Sequence, residues 1–318
     1  MKNKNCKNFQ ISRLAIGIFV LISALAGCSK DTNITTASTS QVIDTSLFNM
    51  TSIISINEVT KTMSDGSSGV CYAIKIKSIA PDHAMGPYCP TNTSQSVGVW
   101  VDPTLGATAV DATYLNYLET KGWDIVDNNG NVRICSTDAD FQKVATQEVG
   151  NWTLAQATAN GVINRCVAPT PKEQSTMVYI PKFPKKASSP MNNPGGVVPA
   201  GLPGLAIALN GIMLFPPEPT DRIMSYQNIA PFDEKGGHVG FGFDYHYHRA
   251  WNISNTTTKI LGYALDGYPI YTNATEPDGT AVSGLDARQG HTYGTLGYHY
   301  HENGNYITGG LTGVYAIP

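Results

Sequence analysis

The chain has 318 residues, a formal net charge of −3 and few charged side chains. Lys, Arg, Asp and Glu make up 14% of it, whereas about a quarter is typical of globular proteins. A nucleic-acid-binding protein needs a basic surface to contact phosphates, so the composition argues against that class of function. Surface polarity must come from Ser, Thr, Asn and Gly instead.

The first 27 residues have the pattern of an export signal. Four basic residues and no acidic one accompany a short apolar run at 14–26, which is too short for a comfortable membrane span. The run ends in Leu-Ala-Gly-Cys and resembles the lipobox of bacterial lipoproteins, in which the cysteine is acylated and becomes the mature N-terminus. The resemblance implies a lipid anchor on Cys28, and Ser29 favours the outer membrane over the inner one. An ordinary signal peptide or a buried helix is the alternative.

Loss of residues 1–27 would remove four positive charges and no negative ones, which changes the formal charge from −3 to −7. Residues 28–50 are rich in Ser, Thr and Asn and are predicted to be a flexible tether. The folded domain is predicted to span 51–318.

Strand-like runs open this domain at 53–59 and 70–79, the second with the alternation of a half-buried strand. Apolar residues at helical spacing predict a helix over 111–123, capped by Asp111. Residues 151–167 are a second candidate helix. A helical insertion, at about 105–168, is therefore expected within the β-rich chain.

A turn is predicted between these helices, at 127–131, where the sequence is Asp-Asn-Asn-Gly-Asn. The same segment is similar to a calcium loop, but it lacks the glutamate that such a loop needs.

Four cysteines remain beyond the signal and the predicted anchor. An even number in an oxidising compartment predicts two disulfides, with three possible connectivities. Zinc binding is the alternative, although no pair has the Cys-x2-Cys spacing. The four are Cys71, Cys89, Cys135 and Cys166.

Residues 169–219 are rich in Pro and Gly, which argues against long helices. The segment is either a boundary between two domains or a set of loops across one sandwich. A buried strand is predicted at 205–209, followed by an Asn-Gly turn. Short strands are predicted downstream at 241–248, 259–265, 269–271 and 297–301. We therefore expect a mainly β fold, an antiparallel sandwich-like domain with a minor helical, disulfide-bearing insertion and a motif core at about 205–318.

One internal repeat stands out. The pattern Gly-His-x6-Tyr-His-Tyr-His occurs at 237–248 and again at 290–301, 53 residues later, and it holds six of the seven histidines of the chain. Chance placement of two identical patterns of this kind is negligible.

Strand geometry gives the repeat a chemical meaning. Side chains alternate between faces, so the two histidines of each Tyr-His-Tyr-His segment point one way, about 6–7 Å apart, and the tyrosines point the other way. Imidazole is a common ligand of zinc, copper and iron. If the two segments pair or face each other, four imidazoles meet. The candidate ligands are His246, His248, His299 and His301, with His238, His291 and His83 as further candidates.

Several segments resemble the YHYH domain family of bacterial proteins. The resemblance extends over roughly 70–318, is best from about 205 onward, and implies no particular activity. Besides the two motifs, it rests on Ala-Leu-Asn-Gly at 208–211, Gly-Gly-His at 236–238, Leu-Gly-Tyr-Ala-Leu-Asp-Gly-Tyr-Pro-Ile-Tyr at 261–271, Gly-Leu-Asp at 284–286 and Ile-Ala-Pro-Asp-His at 79–83.

Three hypotheses for function follow. The first is a lipid-anchored protein that binds copper, zinc or iron through the histidines. The second is a metal-dependent oxidoreductase or hydrolase at the same site, with Asp266 as a candidate base or partner of a ligand. An Asp before Gly is also favoured in turns for backbone reasons. The third is a metal-free module that binds carbohydrate or protein through its aromatic side chains. Histidines and tyrosines that simply pack as half-buried strand residues are the structural alternative.

Overall fold

The computed structural model describes residues 41–192, 198, 201–249, 251, 258–272, 275–302 and 310–318. The predicted signal, Cys28 and the tether as far as residue 40 lie outside these ranges. Among the described residues, no helix is both long enough and apolar enough to cross a membrane.

Strands dominate the described chain. In chain order they are β1 (Ile53–Thr62), β2 (Ser68–Ile76), β3 (Val99–Asp102), β4 (Gly106–Ala109), β5 (Ile134–Cys135), β6 (Arg165–Val167), β7 (Thr176–Pro181), β8 (Ala206–Ala208), β9 (Met213–Leu214), β10 (Asn228–Ile229), β11 (Gly237–Val239), β12 (Tyr245–Tyr247), β13 (Ile260–Ala264), β14 (Pro269–Thr272), β15 (Gly290–Tyr293) and β16 (Gly297–Glu302). The helices are α1 (Ala112–Thr120), α2 (Asp138–Val149), α3 (Leu154–Ala159) and α4 (Thr220–Met224). The predicted mainly β fold is confirmed.

The largest sheet is a near-symmetric arrangement of two halves. Its eight strands lie in the order β11-β12-β9-β8-β13-β14-β16-β15. In the first half, β9 pairs in parallel with the Tyr-His-Tyr-His strand β12, which pairs antiparallel with the Gly-His strand β11. In the second half, β14 pairs in the same way with β16, and β16 with β15. Strands β8 and β13 meet antiparallel at the centre. The sequence repeat is thus a repeat of structure.

A second sheet covers one face of the first. Strands β1, β2 and β7 form an antiparallel sheet, and its Ile74 and Val178 belong to the same buried cluster as Tyr245 and Tyr300 of the large sheet. The main core therefore lies between two sheets, on the face to which the tyrosines point. This gives the sandwich-like arrangement that the alternating sequence predicts.

The helical segment has its own small cores. Helix α1 is capped by Asp111, whose side chain accepts from the Tyr114 amide at 3.0 Å, so this predicted helix is confirmed. The predicted helix at 151–167 is only half correct, because α3 is short and is followed by β6. Helix α2, which Thr137 caps, was not predicted, although its buried Phe141, Val144 and Ala145 have helical spacing.

One predicted disulfide is present and the second is not. Cys89 and Cys166 are bonded and anchor the helical segment, whereas Cys71 and Cys135 are free and buried. The expectation of two disulfides is wrong because these two thiols lie in separate core clusters, on strands of different sheets.

The end of the predicted tether also differs from expectation. Ile43 and Phe48 are buried, at 3% and 4% exposure, in the main core, and the Tyr263 hydroxyl accepts from the Asp44 amide. Two large apolar side chains within a polar stretch are enough to hold it against the sheet, so the folded domain begins before residue 51.

Candidate metal centres

Each half of the large sheet carries a hairpin that gathers three imidazoles. In the first, His238 on β11 is directly opposite His246 on β12. In the second, His291 on β15 is directly opposite His299 on β16. Opposite residues of an antiparallel pair share a face, and the next histidine of each Tyr-His-Tyr-His segment shares it too because strand side chains alternate.

The opposite face of each hairpin is held by a buried tyrosine and an aspartate. Tyr245 donates to Asp233 at 2.6 Å, and Tyr298 donates to Asp286 at 2.9 Å. Both aspartates stand five residues before the first histidine of their repeat, which extends the pattern to Asp-x3-Gly-His-x6-Tyr-His-Tyr-His. The glycine is needed because a Cβ there would lie only 2.3 Å and 2.2 Å from the two tyrosine oxygens.

The first cluster comprises His238, His246 and His248, with Glu218 at its side. The Nε2 atoms of His246 and His248 are 3.0 Å apart, and a Glu218 oxygen lies 2.6 Å from His248 and 3.6 Å from His238. Two ligands of one tetrahedral ion, each about 2.0–2.1 Å from it, are about 3.3 Å apart. The distances within this cluster therefore suit a single ion.

The second cluster comprises His291, His299, His301 and Glu276. Its imidazole Nε2 atoms lie 3.2 Å apart for His291 and His299 and 3.0 Å apart for His299 and His301. The Glu276 oxygens lie 2.9, 3.2 and 3.4 Å from the three rings. Glu276, His299 and His301 are fully buried, so four ligands converge on one point from which water is largely excluded.

The other ring nitrogen of most of these histidines is held in place. His238 and His291 each donate from Nδ1 to the carbonyl eight residues upstream, at 3.1 and 2.8 Å. His246 contacts the Asp244 carboxylate through Nδ1 at 3.1 Å, and His299 donates to the carbonyl two residues upstream. Metal-bound histidines characteristically donate their second N–H in this way, which fixes the tautomer and leaves Nε2 free for the ion.

Burial favours the neutral form of three of these imidazoles. It lowers the pKa of His238 to about 3 and also lowers the pKa of His299 and His301. Burial alone would raise the pKa of Glu218, but the attraction of His248 and the neighbouring imidazoles in their protonated form, with the hydrogen bond from His248, outweighs it and lowers that pKa. Neutral imidazole with ionised carboxylate is the protonation state in which both groups bind metal.

The two clusters are separate. Strands β12 and β16 are five positions apart in the sheet order, which is roughly 24 Å at about 4.8 Å a strand. The two Tyr-His-Tyr-His segments therefore do not pool their imidazoles. Each instead combines with its own Gly-His strand and its own glutamate.

His83 joins neither cluster. Its Nε2 lies 3.0 Å from the Tyr245 hydroxyl, its Nδ1 lies 2.8 Å from Asp82, and its ring is stacked near that of Tyr247. The tyrosines point away from the imidazole clusters, so His83 is a core residue on the far side of the sheet.

Asp266 also lies on the tyrosine side. It accepts from Tyr300 at 2.6 Å and from the Gly313 amide at 2.7 Å, and burial raises its pKa to about 6. These bonds tie the second hairpin to the C-terminal segment and give Asp266 a structural role.

The glutamates of both clusters were missed by the sequence prediction. Glu218 and Glu276 each stand four residues after the end of the strand that pairs in parallel with the Tyr-His-Tyr-His strand. The two segments also share a sequence signal that the prediction did not use: each glutamate is followed by proline and lies downstream of an Ala-Leu-(Asn/Asp)-Gly turn, at 208–211 and 264–267.

A cavity opens beside the first cluster. It has a volume of about 360 Å³, and its lining includes Phe141, Val144 and Glu148 of α2, Phe241, and the cluster itself. Burial and the nearby charge of Glu218 raise the pKa of Glu148 to about 7.

Comparison with known proteins supports the family resemblance over part of the chain. The family model described as YHYH protein matches residues 177–283. The match contains the first Tyr-His-Tyr-His segment and ends before the second, so it is shorter than the expected 70–318. Neither the curated proteins nor the solved structures give a match.

Proposed function

We propose that this protein binds two transition-metal ions, one in each cluster, and that the ions are zinc, copper or iron. The observation that carries the proposal is the repeated set of three imidazoles with a carboxylate beside them, whose contacting nitrogen and oxygen atoms lie 2.6–3.6 Å apart. Such nitrogen-rich sets suit these metals better than magnesium or calcium, which prefer oxygen ligands.

The burial of Glu276 supports the same conclusion. Its side chain is fully buried, and its ion-pair neighbours among the described residues are three imidazoles. An ionised carboxylate in such surroundings is costly unless a cation accompanies it. A bound divalent ion supplies that cation.

The N-terminal sequence is the basis for a proposal about where the protein is located. We propose that the domain is held at the cell envelope, on the outer membrane in preference to the inner one, by acylation of Cys28. Mass spectrometry of the native protein would test this: the expected N-terminal peptide starts at an acylated Cys28, and an unmodified Cys28 or a retained signal would contradict it.

Metal analysis of purified variants tests the binding proposal. We expect two metal equivalents in the unaltered protein, one in His246→Ala, one in His299→Ala, and none in the double variant. His83→Ala is the matched control, because it removes a buried histidine outside both clusters and should retain two equivalents. A folded, metal-free protein after growth with each metal supplied, or loss of metal in the His83 variant, would contradict the proposal.

A further inference from the structure

The two clusters differ in how completely they surround an ion. In the second cluster, one atom from each of Glu276, His291, His299 and His301 lies within 4.8 Å of all the others. In the first cluster this holds for the three imidazoles alone, and Glu218 stands to the side. Closed sets of four ligands are typical of structural sites, whereas three protein ligands with an open position are typical of sites that bind a further molecule.

The open side of the first cluster faces the cavity. Both His246 and His248 line it, and the ring of Phe215 is stacked on that of His246 with 4.0 Å between centroids. Most of the remaining lining is apolar and includes Phe141, Val144 and Phe241. A volume of about 360 Å³ lies within the usual range of small-molecule sites.

The helical segment makes the two halves unequal. Helix α2 supplies one wall of the cavity, and it precedes the sequence repeat in the chain, so the duplication provides no equivalent wall for the second cluster. The apolar cavity is therefore a feature that the insertion adds to one of two otherwise similar centres.

The charges around the cavity limit what it accepts. Two carboxylates, Glu218 and Asp244, line it together with the carboxyl group of Glu148, so an anionic head group would be repelled by the wall. A neutral nitrogen or oxygen donor meets no such repulsion when it approaches the metal.

We propose that the first cluster, once loaded with metal, binds a small molecule with an aromatic or aliphatic body and a neutral nitrogen or oxygen donor that coordinates the ion. This rests on the proposed function, because the head group needs the metal. The second cluster, where four ligands converge, would be a closed metal site.

Two imidazole probes test the inference. Co²⁺ would be bound to His299→Ala, in which the first cluster alone remains, and to His246→Ala, in which the second alone remains. Visible absorption would follow titration with imidazole and with 4-phenylimidazole. We expect the phenyl compound to bind the first cluster at least tenfold more tightly than imidazole, because its ring is buried against the apolar wall. We expect no such preference at the second cluster.

Substitutions in the wall separate pocket binding from simple coordination. Phe241 lines the cavity and is 42% exposed, so Phe241→Ala should fold, keep Co²⁺ and lose several-fold of the preference. Phe183→Ala is the matched control, since Phe183 is 51% exposed and outside this cavity. Equal affinities for the two probes, equal preference at both clusters, or an unchanged preference in Phe241→Ala would overturn the inference while metal binding stands. Failure to bind Co²⁺ at all would overturn the proposed function and this inference with it.

Discussion

Zinc should stabilise this protein in two independent steps. A ligand that binds only the folded state stabilises it by about 2.7 kcal/mol when its free concentration is 100 times Kd. The clusters share no residue and lie roughly 24 Å apart along the sheet, and effects at such separations usually add to within about 0.5 kcal/mol. Two sites should therefore give about 5.4 kcal/mol.

Each single variant should lose one half of this zinc-dependent gain in the free energy of unfolding. His246→Ala and His299→Ala should each retain about 2.7 kcal/mol of zinc-dependent stabilisation, whatever the substitution does to the metal-free protein. Urea denaturation with and without zinc measures the gain for each variant against its own metal-free baseline. Each single step corresponds to roughly 5–10 °C in the melting temperature, at about 2–4 °C per kcal/mol.

One result would refute the reasoning directly. If either single substitution abolished the whole zinc-dependent gain, the two clusters would have to act as one site, contrary to the order of the strands. A gain of the same size in the double variant would show that zinc binds somewhere else.

Three further predictions concern stability. Burial raises the pKa of Glu148 to about 7 from its ordinary 4.5; the folded state then holds a proton that the unfolded chain has lost, so stability should fall as pH rises between these values. The lowered pKa values of His238, His299 and His301 give the opposite trend. The loss due to Glu148, at most about 3 kcal/mol, should therefore appear as the difference in pH dependence between the unaltered metal-free protein and Glu148→Gln, measured by urea denaturation at pH 5 and pH 8. Gly290→Ala places a Cβ 2.2 Å from the Tyr298 oxygen and should cost about 1–3 kcal/mol, less in combination with Tyr298→Phe; a double-mutant cycle without coupling would contradict the clash. Reduction of the Cys89–Cys166 bond, which spans 77 residues, should cost about 2–4 kcal/mol by urea denaturation, whereas a Cys89→Ser variant should not respond to reductant.

Local rules of the strand were sufficient to predict part of each centre. Alternation of side chains alone places His299 and His301 on one face and the intervening Tyr300 on the other, and the structure agrees. The repeat also marks the upstream Gly-His as part of each unit. These inferences hold because they depend on neighbours in the chain, whose relative directions are set by the backbone.

Residues distant in sequence could not be assigned in this way. Glu218 and Glu276 reach the clusters because the strands β9 and β14 lie next to the Tyr-His-Tyr-His strands in parallel. The Glu-Pro step that the two segments share does not by itself indicate that pairing. His83 has the same residue type as the ligands, but it lies on the opposite face of the large sheet, where it contacts Tyr245. Its residue type alone therefore could not indicate its role.

The sequence by itself determined that six histidines belong to two repeats of three. It also determined that the two histidines of each Tyr-His-Tyr-His segment share one face of their strand. Tertiary structure decided that the two sets make two centres and not one, since four strands stand between β12 and β16. It also decided that a glutamate from outside the repeat lies at each centre and that an apolar cavity opens beside the first. The physical reason is that strand order is chosen by hydrogen bonding and burial across the whole sheet, over separations at which a repeat in the chain carries no information.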